Sequence, residues 1–177
     1  MTCILQNDTI DSILNSHKVE LGDSFEPYRN HVYRVYNFAI LSLTDSNDIN
    51  TLSVAVAFHD LGIWTKKTFD YIQPSIDLAR HYCLLNLIET EKIVEIEFII
   101  KEHHKLSKIS NNRLAEIFRK ADLVDLSLGM IRKNIDRKYI RKVKENFPNK
   151  GFHLYLSRLF LKNLFLNPLR PLPMYKF

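Results

Sequence analysis

Between positions 9 and 166, apolar residues return every three or four places almost without a break. That is the spacing of one helix face. Only 4 glycines and 6 prolines interrupt the 177 residues, and four of the prolines fall after position 147. A β-rich chain of this length needs many more turn residues. The pattern therefore predicts an all-α fold, a single-domain bundle of about seven to eight helices spanning 1–177. With 46% hydrophobic and 25% charged residues, the chain reads as globular rather than disordered, and it is long enough to bury a core.

A short opening helix is expected over 9–19, after which Gly22, Asp23 and Ser24 break the pattern and supply an N-cap. A long helix then carries "YRNHVYRVYNFAILSL", with Pro27 tolerated in its first turn. On it His31, Val35, Phe38 and Ala39 share a face. Asp48 is placed to cap a third helix, "TLSVAVAFHDLG". That segment is apolar almost all round, which predicts a central, buried helix ending at Gly62. A loop with Lys66 and Lys67 leads to Pro74, a natural first helical residue. Further helices are expected over 74–87, 90–105 and 112–127, followed by C-terminal helices within 135–167. The last of these spans 152–166, and an extended Pro-rich tail occupies 168–177.

The net charge of +5 and pI of about 9.1 are compatible with anionic ligands. Much of that charge lies in "RKNIDRKYIRKVKEN" (132–146), which reads as a solvated helix face rather than a nucleic-acid patch. Cys3 and Cys83 have neither disulfide-framework nor zinc-ribbon spacing, and a reduced, cytoplasmic setting is expected. The first residues show no basic start followed by a long apolar run, so no signal peptide is expected. No apolar run approaches 18 residues, so no transmembrane helix is expected. The apolar last helix reads first as core packing, with a homodimer face or a membrane-surface helix as alternatives.

Four polar intrusions break the apolar faces. "FHDLGIW" (58–64) sets His59 and Asp60 side by side at the end of the most apolar helix. With 7 histidines and 11 aspartates in the chain, chance alone supplies about 0.4 such dipeptides, so the pair is uninformative by itself. Yet an unpaired Asp in an apolar helix is costly, and a divalent cation or an arginine must neutralise it. His31, Asp122 in "RKADLVDLS" and His103 in "EFIIKEHHK" intrude in the same way. Each alone reads as a hydrogen-bonded core histidine, or as an ion-pair partner or cap. Together, two imidazoles (31 and 59) and two carboxylates (60 and 122) make a mixed nitrogen and oxygen ligand set. It suits zinc, manganese, iron, cobalt or nickel better than calcium, and it lacks the thiolates of structural zinc sites. Four protein ligands leave two positions open on an octahedral ion, as catalytic metals require.

The order His, His-Asp, Asp along helices resembles the HD-domain metal-dependent phosphohydrolase superfamily. "HVYRV" is similar to the family's H-x-x-R-V opening, "AFHDLG" to its central motif, "IIKEHH" to its I-x-x-H element and "KADLVD" to its closing Ala-Asp. The resemblance covers about 25–127. It implies His31, His59, Asp60 and Asp122 as ligands of one divalent ion (Mn, Co, Ni, Fe, Zn or Mg), in the cleft of a helical bundle. His103 and His104 would line the site. Two-metal relatives carry a further His before a proline, where this chain has Gln73, so a second ion is not expected. Ile63 and Trp64 stand where some branches place a charged catalytic residue.

The implied activity is hydrolysis of a small phosphorylated compound, nucleotides included. Asp60 would ligate and accept a water proton, and His103 would protonate the leaving oxygen. Arg34 would hold the phosphate, with Lys66, Lys67, Arg80, His104 and Lys105 as further substrate contacts. Asp125, one turn after Asp122, is expected to support a ligand or cap a helix. Two other readings stay open: an HD-type oxygenase or hydratase on the same ligands, and a non-catalytic metal-stabilised binding or sensor domain.

Overall fold

The helix α4 (Ser46–Phe58) sits at the centre of the molecule in the computed structural model, which describes residues 2–174. Thr51 to Phe58 are buried without interruption, as its all-round apolar character requires. Around it pack α1 (Asp8–Ser16), α3 (Phe25–Ile40), α6 (Ile72–Leu85), α7 (Thr90–Glu102) and α8 (Arg113–Leu126). Two single-turn helices, α2 (Lys18–Leu21) and α5 (Gly62–Thr65), touch each other, and α5 also lies on α6. Then α9 (Arg137–Asn146) and α10 (Phe152–Leu166) close over α3. Among the described residues there is no strand, and eight helices reach nine residues or more, so the all-α bundle expected from the periodicity is what forms. No helix among them is long and apolar enough to cross a membrane.

Helix starts follow cap chemistry. Asn7 accepts from the Ile10 amide, Asp45 from Asn47, Asn112 from Ala115, and Asp136 from both Lys138 and Tyr139. Each such cap contributes about 1 kcal/mol. Three expectations shift here. Asp45, not Asp48, caps α4, and Asp48 pairs with Arg113 instead. The basic run begins with a turn, in which Lys133 and Asn134 take positive φ, and its helix starts only at Arg137. The opening segment is two short helices followed by a 3-10 turn, Gly22–Ser24, and the side chain of Ser24 makes no cap bond.

Only half of α10 packs as the first reading had it. Phe152 is buried, and Tyr155, Leu156 and Leu159 lean on the core. Leu154, Leu161, Phe165 and Leu166 stay exposed. The last three residues of the Pro-rich tail lie outside the described residues.

Candidate metal centre

Four side chains meet where α3, α8 and the turn after α4 converge. His31 comes from the middle of α3, His59 and Asp60 from the turn, and Asp122 from α8. All four are at most 3% exposed. Nε2 of His31 lies 3.0 Å from Nε2 of His59. Oδ2 of Asp60 is 3.7 Å from the first and 3.5 Å from the second. Oδ1 of Asp122 is 3.7 Å and 4.0 Å from the same two nitrogens. Ligand bonds of about 2.1 Å put neighbouring donor atoms about 3.0 to 3.4 Å apart. His31, His59 and Asp60 fall close to that spacing, and Asp122 closes from slightly further out.

The tautomers favour a cation. Nδ1–H of His31 donates to Oδ2 of Asp125 at 2.7 Å. Nδ1–H of His59 donates to the carbonyl of Val56 at 2.8 Å, and Nδ1–H of His103 to that of Ile100 at 2.6 Å. With each Nδ1 carrying the proton, a neutral ring presents a bare lone pair at Nε2. Two such lone pairs then face each other at 3.0 Å, beside two carboxylate oxygens. A proton or a metal ion must lie among them. Imidazole ligands held through their other nitrogen by a carboxylate or carbonyl are the usual outer support of metal sites.

Asp60 faces both ways. Its Oδ2 points to the His31 and His59 nitrogens. Its Oδ1 lies 3.4 Å from Nε2 of His103, without hydrogen-bond alignment, and both atoms are buried and lack a partner. Orphaned buried acceptors of this kind are rare and costly. Asp60, His103 and His104 form a second group whose donor atoms are close enough to share an ion, as do His31, His59 and Asp60. Nε2 of His104 is 2.5 Å from the Tyr71 hydroxyl.

Burial pushes the His59 imidazole down to about 3, against the pull of Asp60, so it is neutral at pH 7. Burial also drives His104 well below its ordinary value, with His103 adding to the effect. The same burial raises Asp122 to about 7, although His103 and His31 pull the other way. For Asp60 burial is outweighed by the surrounding imidazoles, His59 first, and its carboxyl stays well below the usual range. For His103 burial is outweighed by Asp60 and then Asp122, and the ring is raised. Asp60 and Asp125 thus share the centre with one guanidinium, Arg34, while Asp122 titrates near neutrality. Once Asp122 ionises, the carboxylates exceed the guanidinium by two charges, which a divalent cation would balance.

Arg34 is 1% exposed and grips Asp125 with two bonds, Nε to Oδ1 at 2.5 Å and Nη2 to Oδ2 at 2.9 Å. Its Nη1 donates to the carbonyl of Phe147. It holds up the centre from behind and presents no fork to a substrate. Asp125 is tied to both His31 and Arg34. Lys66 is exposed, and Lys67 lines a separate cleft against α10. Arg80 is exposed and forked on Glu97. His104 and Lys105 border a hollow of about 70 Å³ that also touches His103, Arg119 and Asp122. Arg119 bonds Glu116 and the Lys105 carbonyl, and Glu116 accepts from the Ile109 amide, so this pair staples the loop over the hollow.

Three supporting groups carry no sequence signal. Phe152 stacks on His31 at 4.1 Å and 15°. His153 Nε2 lies 3.0 Å from the Asp125 carbonyl. Tyr28 donates to the Ala57 carbonyl and packs near both His31 and His59. No family model matches the chain, and no curated protein or solved structure does so either.

Proposed function

We propose that this chain is an HD-type, divalent-metal-dependent hydrolase of small phosphorylated compounds, nucleotides included. The observation that carries the reading is the convergence of His31, His59, Asp60 and Asp122, with both Nε2 lone pairs turned inward. An ion held there supplies a Lewis acid and a water of lowered pKa.

The chain's own groups divide the remaining work. Asp125 and the Val56 carbonyl fix the tautomers of His31 and His59. Oδ1 of Asp60, which makes no hydrogen bond, orients the water, and a carboxyl held so far below the usual range is too weak a base to take its proton. His103, raised by the carboxylates around it, delivers a proton from Nε2 to the leaving oxygen. Lys105 stands at the hollow as the cation for the phosphoryl group, and the stapled loop limits water there. The hollow of about 70 Å³ admits a phosphoryl-sized end, with the rest of the substrate outside.

The test is a panel of phosphomonoesters, phosphodiesters and nucleotides with Mn, Co and Ni, run on the wild type, Asp60→Ala and Asp122→Ala. Turnover that needs the metal and both aspartates supports the reading. Metal binding without turnover across the panel moves it to a binding or sensor domain. A second reading draws on Asp60, His103 and His104 as a second ion-holding group, which favours the oxygenase alternative. Two irons per chain by metal analysis would select it.

A further inference from the structure

A cleft of about 480 Å³ runs between α5 and α10, within the size range of small-molecule sites. Ile63, Trp64, Tyr155 and Leu159 give it apolar walls, and Lys67 and Lys162 border it. The rings of Trp64 and Tyr155 stack with centroids 5.6 Å apart and planes 12° from parallel. Among the described residues no acidic side chain lines the cleft. Among the described residues neither lysine has an ion-pair partner.

Trp64 is one wall of the cleft. It is only 6% exposed, yet its Nε1–H has no acceptor. A buried indole ordinarily finds one. That nitrogen is sealed from solvent, so a ligand in the cleft does not reach it, and the charge preference of the cleft comes from its two unpaired ammonium groups.

We propose that this cleft binds a small organic anion with an apolar body, its charged head held by Lys67 and Lys162. The body lies along the Trp64 and Tyr155 rings. The site borders the metal centre without sharing its ligands: Tyr28 stands between, 4.6 Å from Trp64 and 6.3 Å from the rings of His31 and His59. It therefore goes beyond the hydrolytic reading and stands without it.

Trp64 is the only tryptophan in the chain, so its emission reports on the cleft directly. The full-length protein, stripped of metal with EDTA, is titrated with octanoate and with phenyl phosphate, and in parallel with their uncharged counterparts octanol and phenol. The expected result is a saturable emission change for at least one anion, at an affinity about tenfold or more above its uncharged counterpart. Tighter octanoate assigns a carboxylate head, and tighter phenyl phosphate a phosphoryl head. The Lys67→Met/Lys162→Met variant keeps the apolar stems, and its fold is checked by circular dichroism. It should weaken the anion about tenfold or more while leaving the uncharged compound unchanged. No saturable change with either anion overturns the proposal, as does anion binding that survives the double substitution. Because metal is absent throughout, neither result depends on the fate of the metal centre.

Discussion

Asp122 illustrates how a buried carboxyl strains its own fold. Burial raises its pKa to about 7, well above the 3.8 of a free carboxyl. The folded state therefore holds this proton more tightly than the unfolded state. The resulting stabilisation is fully present below about pH 3.8 and is lost progressively as pH rises from there to about 7. Asp122→Asn cannot ionise, so without metal it is expected to be more stable than wild type at pH 8, by a smaller margin at pH 5, and about equal only near pH 3, as read by urea unfolding. Metal binding runs the other way. Proton and ion compete for the carboxylate, so wild-type manganese affinity should fall as pH drops below about 7, while the Asn variant binds weakly at every pH. Equal stability at pH 8 would mean that Asp122 ionises freely. Asp125 acts at one remove. Asp125→Asn leaves the Arg34 charge buried without its carboxylate, which is expected to cost about 3 to 5 kcal/mol. Loosening His31 should also weaken manganese about 10- to 100-fold. Undiminished affinity in calorimetric titration would remove Asp125 from the support of the centre. The proposed ligands were legible because each intrudes on an apolar face. Their anchors were not, since Val56 and Ile100 act through backbone carbonyls and Asp125 reaches His31 across 94 positions of sequence. Arg34 misled for a related reason: sharing a face with His31 is what takes its guanidinium into the core.

Glycine 62 shows the same limit at the scale of elements. The sequence suggests a helix stop, and helix propensity alone favours alanine over glycine by about 1 kcal/mol. In the structure α4 ends at Phe58, and Gly62 opens α5 with a negative φ. What it provides is room. A Cβ there would lie 2.5 Å from the Tyr71 carbonyl oxygen and 2.9 Å from both Pro74 Cβ and Ser75 Oγ. Its amide also donates to Ser75 Oγ at 3.0 Å. Backbone at the start of α6 cannot yield cheaply, so Gly62→Ala is expected to destabilise by about 1 to 3 kcal/mol. It should also displace the turn that carries His59 and Asp60, lowering metal affinity. Denaturant unfolding decides the sign, and a gain in stability would mean that propensity outweighs packing here. Helix existence could be read from periodicity because the apolar stripe is long and repeated. Helix ends could not, because Asp45 or Asp48, and Arg132 or Arg137, differ only in which backbone amides a nearby carboxylate reaches.

At the scale of the whole molecule, the proposed ligand set joins parts of the chain that lie far apart in sequence. His31 lies on α3, His59 and Asp60 follow the central α4, and Asp122 lies on α8. The pairings of α3 with α8 and of both with α4 form the middle of the bundle. An ion there would tie the three helices together and remove the repulsion among buried carboxylates. An unfolded chain holds these ligands at no fixed distance, so the ion binds the folded state selectively. At a metal concentration 100 times its dissociation constant, the stabilisation is about 2.7 kcal/mol. For a chain of this size, each kcal/mol moves the melting temperature by about 2 to 4 °C. Manganese is therefore expected to raise the midpoint by about 5 to 10 °C over EDTA-treated protein, and the rise should grow with metal concentration. Scanning calorimetry on the wild type and on His31→Ala/His59→Ala makes the comparison. The double variant should melt at one temperature with and without metal, since the nitrogens that define the site are gone. A wild-type midpoint that ignores manganese, cobalt and nickel alike would leave the inward-facing lone pairs to a proton, and with it would fall the assignment of this cluster to metal chemistry.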